Sequence, residues 1–201
     1  MTGCFIVLEG GEGSGKSTQA QLLYERLVAF GRDAVLTYEP GDSSLGEEIR
    51  QLLLHREDAV DERAELLLML ADRAQHVATV VKPALARDAV VVCDRFTPSS
   101  LAYQGIGRAL GVEAVEWMST YASVGVSPDL VVVLDLPDQI ANARVSQEPD
   151  RFERAGNEFH AAVRNAYRYL APLHEWTLLD ASGTREEVAE QIWALVRPIL
   201  P

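Results

Sequence analysis

Gly10-Gly11-Glu12-Gly13-Ser14-Gly15-Lys16-Ser17 is the stretch from which the rest of this chain is read. It fits G-x-x-x-x-G-K-[ST], the pattern of a loop that wraps phosphate. The glycines let the backbone curl so that several N–H groups aim at one anion, and a helix opening directly afterwards adds the positive end of its dipole. In such a loop Lys16 reaches the outer phosphates and Ser17 offers its hydroxyl to Mg2+. The flanks agree with this reading. Cys4-Phe5-Ile6-Val7-Leu8 is a short apolar run suited to a buried parallel strand, and Leu22, Leu23, Leu27 and Val28 recur at helical spacing between Ser17 and Phe30.

Working outward, the same alternation repeats. Ala34-Val35-Leu36-Thr37-Tyr38, Ala89-Val90-Val91-Val92-Cys93, Leu130-Val131-Val132-Val133-Leu134 and Thr177-Leu178-Leu179-Asp180 read as further strands. Helical spacing predicts helices over about 45–54, 62–86, 99–124 (broken near Gly105, Gly107 and Gly111), from about Pro137, 157–171 and 184–196. The last opens on a capping-box pattern from Thr184 to Glu187. Continuous apolar strands alternating with helices predict an α/β fold, a doubly wound five-stranded parallel sheet with helices on both faces. The expected organisation is one domain over 1–201 with a mobile lid at about 144–156, where the chain turns polar. Ligands in such sheets bind beyond the carboxyl ends of the strands.

A formal net charge of −12 argues against a general nucleic-acid or anionic-membrane binder, although a phosphate site needs only a few local cations. Cys4 and Cys93 sit in apolar runs and suggest buried thiols in a reducing compartment. No stretch of 18 apolar residues and no signal-peptide pattern is present, so a cytoplasmic location is expected.

Other residues carry possible chemistry. Asp94 ends an apolar strand, where a carboxylate can orient Mg2+ beside Ser17 or simply cap a helix. Arg95 can bridge phosphates with its fork of donors or lie solvated at the surface. Arg73, on the long helix, can be a site residue or an ion-paired snorkelling one. Arg144, Arg151 and Arg154 flank the polar stretch and form either a basic lid or a solvated charge run. The four histidines show no metal-ligand spacing.

In order along the chain, these motifs resemble thymidylate kinase of the bacterial type. The matching pieces are the strand and loop through Thr18 and Gln19, Glu39-Pro40-Gly41, Leu45-Gly46-Glu47-Glu48-Ile49-Arg50, and Ala71-Asp72-Arg73-Ala74-Gln75-His76. Asp94-Arg95-Phe96 leading to Ser99-Ser100-Leu101-Ala102-Tyr103-Gln104-Gly105 is the most specific, and Asp150-Arg151-Phe152-Glu153 completes the set. The resemblance implies transfer of phosphate from ATP to dTMP, with Mg2+ held near Ser17 and Asp94. It implies that Gly10, Gly11, Glu12, Gly13, Ser14, Gly15, Lys16, Ser17 and Thr18 hold ATP, with Glu12 also near the acceptor. Arg73 and Arg95 would hold the dTMP phosphate, with Arg50 nearby, and Ser100 and Gln104 would meet the thymine edge. Glu39, Pro40, Met69, Ser99 and Tyr103 fall in the same acceptor pocket. Glu12, Lys16, Arg95, Arg144 and Arg151 would be catalytic, the last two from the lid. Family members are commonly homodimers, and the 62–86 helix could supply that surface.

Three departures bear on the acceptor. Met69 stands where the family has a phenylalanine stacked on thymine. Tyr38-Glu39-Pro40-Gly41-Asp42-Ser43 replaces Arg-Glu-Pro-Gly-Gly-Thr, and Ser146 stands at a lid position often arginine. They leave open two alternatives: a kinase of another, modified pyrimidine deoxynucleotide, or a nucleotide-binding homologue without kinase activity.

Overall fold

The computed structural model describes residues 3–55, 58–137, 140–141 and 151–200. Its strands are β1 (Cys4–Gly10), β2 (Ala34–Tyr38), β3 (Val90–Asp94), β4 (Leu130–Asp135) and β5 (Thr177–Asp180). They pair in parallel in the order β2-β3-β1-β4-β5. The helices in chain order are α1 (Lys16–Ala29), α2 (Ser44–Leu54), α3 (Glu62–His76), α4 (Lys82–Ala86), α5 (Thr97–Ser100), α6 (Val112–Ala122), α7 (Asn157–Leu173) and α8 (Arg185–Val196).

The two-residue period of the strands divides the core. Phe5 and Val7 of β1 join Val91, Cys93, Val131 and Val133 on one face, packed against Ile49, Leu53, Val77, Val163 and Tyr167. Ile6 and Leu8 join Val90, Val92, Val132 and Leu134 on the other, packed against Leu23 and Leu27 of α1 and Val188, Ile192 and Val196 of α8. Each such side chain contributes about 1.5–3 kcal/mol relative to exposure, and β1, buried along its whole length, contributes most densely.

Local chemistry sets the helix starts. The Ser43 side chain accepts from Gly46 N at 2.9 Å to open α2, Asp61 caps α3, and Thr184 and Glu187 close the expected capping box before α8. The helical stretch expected over 62–86 is continuous, but a π-helical turn at Val77–Val81 joins α3 to α4. A second π-helical segment, Leu101–Gly107, continues α5, and the break comes before Gly111, whose φ of +90° suits glycine.

β1 runs two residues past the apolar stretch because Glu9, although polar, is fully buried and hydrogen-bonded. Ile140 and Ala141 are helical, as expected after Pro137. Arg144, Ser146 and most of the segment expected to form a lid lie outside the described residues.

Candidate active site

At the carboxyl end of β1 the chain turns at Gly10, with φ +138°, where a Cβ would collide with the Leu134 carbonyl. Gly15 precedes α1 with φ +90°, and no side chain caps that helix. The first amides of α1 are therefore available to an anion. Lys16 folds back over the loop, donating to Gly11 O at 2.9 Å and Ser14 Oγ at 3.4 Å. Its burial, with Arg95 nearby, pushes the ammonium pKa down, so an incoming anion would relieve an electrostatic cost. Ser17 Oγ donates to Asp94 Oδ2. The other carboxylate oxygen, Oδ1, is buried with no hydrogen-bond partner among the described residues. A hydroxyl beside a carboxylate with an unused oxygen is a donor set for a hard divalent cation.

Arg95 follows Asp94 with φ +73°, a left-handed conformation costing a non-glycine residue roughly 1–2 kcal/mol. The turn brings its guanidinium back across the loop. It donates to Glu12 Oε1 at 2.5 Å, Ser99 Oγ at 3.1 Å and Tyr103 OH at 3.2 Å. Tyr103 OH donates to Glu12 at 2.9 Å. Burial pushes the Glu12 carboxyl up, but Arg95, Lys16 and the Tyr103 hydrogen bond outweigh it and hold the pKa down at about 2. Glu12 is thus an anion between two cations. Beneath them Glu9 accepts from Phe96 N at 2.8 Å, Ser99 Oγ at 2.7 Å and Tyr167 OH at 2.7 Å, tying β1 to α5 and α7.

The opposite end is built from side chains. Arg73 donates to Glu39 at 2.8 Å and to Ser119 Oγ at 3.3 Å, with its guanidinium 4.9 Å from the Phe96 ring centre. Glu39 also contacts His76 Nδ1 at 2.8 Å, His76 Nε2 meets Thr37 Oγ1 at 2.6 Å, and Thr37 donates to Asp42 at 2.5 Å. Asp72 accepts from Gly41 N at 3.0 Å; burial, with the Glu39 charge second, pushes its pKa up to about 6. Arg50 donates to Pro40 O at 2.6 Å and lies 5.5 Å from the Tyr38 ring centre.

One cavity of about 570 Å3 joins the two ends. Of the residues singled out in the sequence, Glu12, Lys16, Ser17, Glu39, Pro40, Arg50, Met69, Arg73, Asp94, Arg95, Ser99, Ser100, Tyr103 and Gln104 all line it. A second cavity, of about 390 Å3, lies against Gly13, Ser14, Gly15 and Thr18, with Gln19 and Arg185. The phosphate loop thus carries a cavity on each side.

Of the expected site residues that the structure describes, Arg151 stands differently from expectation. Arg151 does not line the cavity with the loop: it pairs with Glu65 at 2.8 Å and donates to Leu53 O at 2.7 Å. A carboxylate as buried as Glu65 needs a cation, and Arg151 supplies one. Arg73, expected on the acceptor phosphate, already has its charge balanced by Glu39.

The model of the thymidylate kinase family matches residues 8–192. The chain belongs to the thymidylate kinase family. It is 50% identical over 194 residues to a thymidylate kinase of Leifsonia xyli subsp. xyli, spanning 94% of this chain and 92% of that one. It is 45% identical to the Halothermothrix orenii thymidylate kinase over 205 residues, spanning 100% and 99% of the two chains. The crystal structure of thymidylate kinase from Ehrlichia chaffeensis superposes with a TM-score of 0.79 at 29% identity, covering 96% of this chain and 98% of that one.

For this thymidylate kinase family member, sequence reasoning passed over Glu9, Glu65, Asp72 and Tyr167 as site-building residues. Glu9 had one legible signal, a carboxylate closing an apolar strand. Glu65, Met69 and Arg73 recur every fourth position on α3, a stripe visible in the sequence once the helix is known.

Proposed function

We propose that this cavity is where the γ-phosphoryl group of ATP passes to the phosphate of dTMP, giving ADP and dTDP. The observation that carries the reading is the single cavity that runs from Lys16 and the Ser17–Asp94 pair, past Arg95, to a deep end lined by Met69, Arg73 and Gln104. ATP enters from the second cavity, with its phosphates on the loop amides and Lys16. The dTMP phosphate meets Arg95, and its base reaches toward α3. Catalysis is by positioning and charge neutralisation, without a covalent enzyme intermediate.

Ser17 and the free Asp94 oxygen are suited to hold Mg2+, which when bound supplies charge neutralisation between the phosphates. Glu12 keeps Arg95 and Tyr103 turned toward the acceptor. Arg73, deep in the cavity and neutralised by Glu39, suits a neutral carbonyl on the base better than a phosphate dianion. The departures at Asp42 and Tyr38 are compatible with this reading. Asp42 is engaged by Thr37, and the Tyr38 ring lies beside Arg50. Arg144 keeps the role the resemblance implies, positive charge over the transferring group from a lid at about 144–156.

The same reading includes a homodimer and a cytoplasmic location. Trp117 and Tyr121 stack on α6 while 70% and 80% exposed, and α3, which packs against α6, exposes Leu67, giving apolar surface suited to a second copy. Among the described residues no helix is long and apolar enough to cross a membrane. A coupled assay with ATP and a panel of dTMP, dUMP, dCMP and dGMP tests the reaction. The highest kcat/KM is expected on dTMP; a better turnover of another monophosphate would favour the modified-pyrimidine alternative raised by Met69. ATP binding without turnover of any would make the chain an inactive homologue.

A further inference from the structure

We infer that Glu65 is a positioning residue that locks the side-chain amide of Gln104 in one orientation and so sets the choice between thymine and cytosine at the acceptor site. The inference rests on the proposed dTMP site.

Glu65 sits on α3 with its side chain 1% exposed. Gln104 Nε2 donates to its Oε1 at 2.9 Å, while Arg151 at 2.8 Å and Arg108 at 3.3 Å hold Oε2. The two guanidiniums allow a carboxylate to be buried there. An ionised carboxylate accepts and never donates, so the NH2 side of the Gln104 amide must face Glu65. The carbonyl side must then face away. Gln104 lines the cavity, and its Oε1 makes no hydrogen bond to any described residue. The cavity wall at Gln104 is therefore a hydrogen-bond acceptor, and Glu65 is what forbids the flip that would turn it into a donor.

The stripe along α3 gives this polarity a meaning. Glu65, Met69 and Arg73 lie on one helix face, successive members about 6 Å apart along the axis. From one end to the other the stripe sets an acceptor through Gln104, an apolar thioether and a guanidinium donor. A thymine ring in a nucleotide offers an N–H at N3 beside a carbonyl at C4. Cytosine offers the reverse, a bare N3 beside an amino group. The wall fixed by Glu65 complements the first and opposes the second.

The test measures kcat and KM for dTMP, dUMP and dCMP in the intact protein and in Glu65→Gln. A glutamine at 65 can present either its carbonyl or its NH2 to Gln104, so the lock is lost. The dTMP-to-dCMP ratio of kcat/KM should fall about tenfold or more, chiefly through KM for dTMP. The ratio of dTMP to dUMP should stay put, because both bases carry the N3 proton, and KM for ATP should not move. Combining Glu65→Gln with Gln104→Glu restores an acceptor facing the cavity and should recover the ratio. Gln104→Met, which leaves Glu65 with its arginines, is the second variant in case Glu65→Gln folds poorly, and should collapse the same ratio. An unchanged dTMP-to-dCMP ratio in a folded variant overturns the inference, as does an equal loss on all three substrates. A wild type that turns over no dTMP would sink the functional reading, and this inference with it. Wild-type turnover with unaltered ratios in the variants sinks this inference alone.

Discussion

The two ends of the cavity are made from different materials. At the loop, an anion site is built from main chain: a glycine turn after β1, an uncapped helix start, and one lysine folded back over it. At the α3 end, the walls are side chains held by buried carboxylates, Arg73 by its ion pair with Glu39 and Gln104 by its hydrogen bond to Glu65. On the proposed reading, the first end recognises what every nucleoside triphosphate shares. The second then tells bases apart, with groups whose polarity depends on neighbours far along the chain. A site made of backbone tolerates few sequences and announces itself. A site made of relayed side chains can be retuned by one substitution, and Met69 lies at such a position.

That contrast can be broken by mutation. Lys16→Ala should cause the largest loss, lowering kcat by roughly 10²–10³ or more, because it removes a preorganised cation from the phosphates. Thermal melting should show the fold retained; a kcat near wild type would mean the loop does not hold the reacting phosphates. Arg95→Ala should cost about 10²-fold in kcat/KM for dTMP with KM for ATP held, since the charge-assisted bonds to the acceptor phosphate are lost. Steady-state kinetics with each substrate varied in turn will show whether the loss follows the acceptor alone.

Asp72 sharpens the comparison through stability. Its folded pKa is raised from 3.8 to about 6, so the native state binds the proton more tightly than the unfolded chain. The Asp72 contribution to stability should therefore rise as pH falls through about 6, with its gain complete below the unfolded value near 4. Above pH 6 the buried ionised carboxylate is a cost on the order of 1–3 kcal/mol. Asp72→Asn keeps an acceptor for Gly41 N, should be more stable than wild type at pH 8, and should flatten the profile between pH 4 and 6 in urea titrations. A profile identical to wild type would show that Asp72 is not the group titrating. The smallest effect is expected from Met69→Phe. An added aromatic face is worth about 0.5–1.5 kcal/mol, so KM for dTMP should drop several-fold with KM for ATP unchanged.

The same contrast explains what could be read before the fold was known. The five strands were legible because each is a short apolar run, and β2 and β5 fall where the runs do. The loop was legible because glycine spacing reports backbone geometry directly. Glu9 escaped because its burial depends on Ser99 and Tyr167, which are brought to it only by folding. Arg151 was read with the lid because sequence neighbours suggested it. Its partner Glu65 lies on another helix, and nothing local announces that pair. The π-helical turn that carries Tyr103 and Gln104 has no residue pattern distinguishing it from ordinary helix.

The division of labour between the two ends is tested most directly by calorimetry of ATP and dTMP, each titrated alone into Lys16→Ala and Arg95→Ala. Weakened ATP with intact dTMP affinity is predicted for the first variant, and the converse for the second. Equal weakening of both nucleotides by either change, or the reverse assignment, would contradict the account.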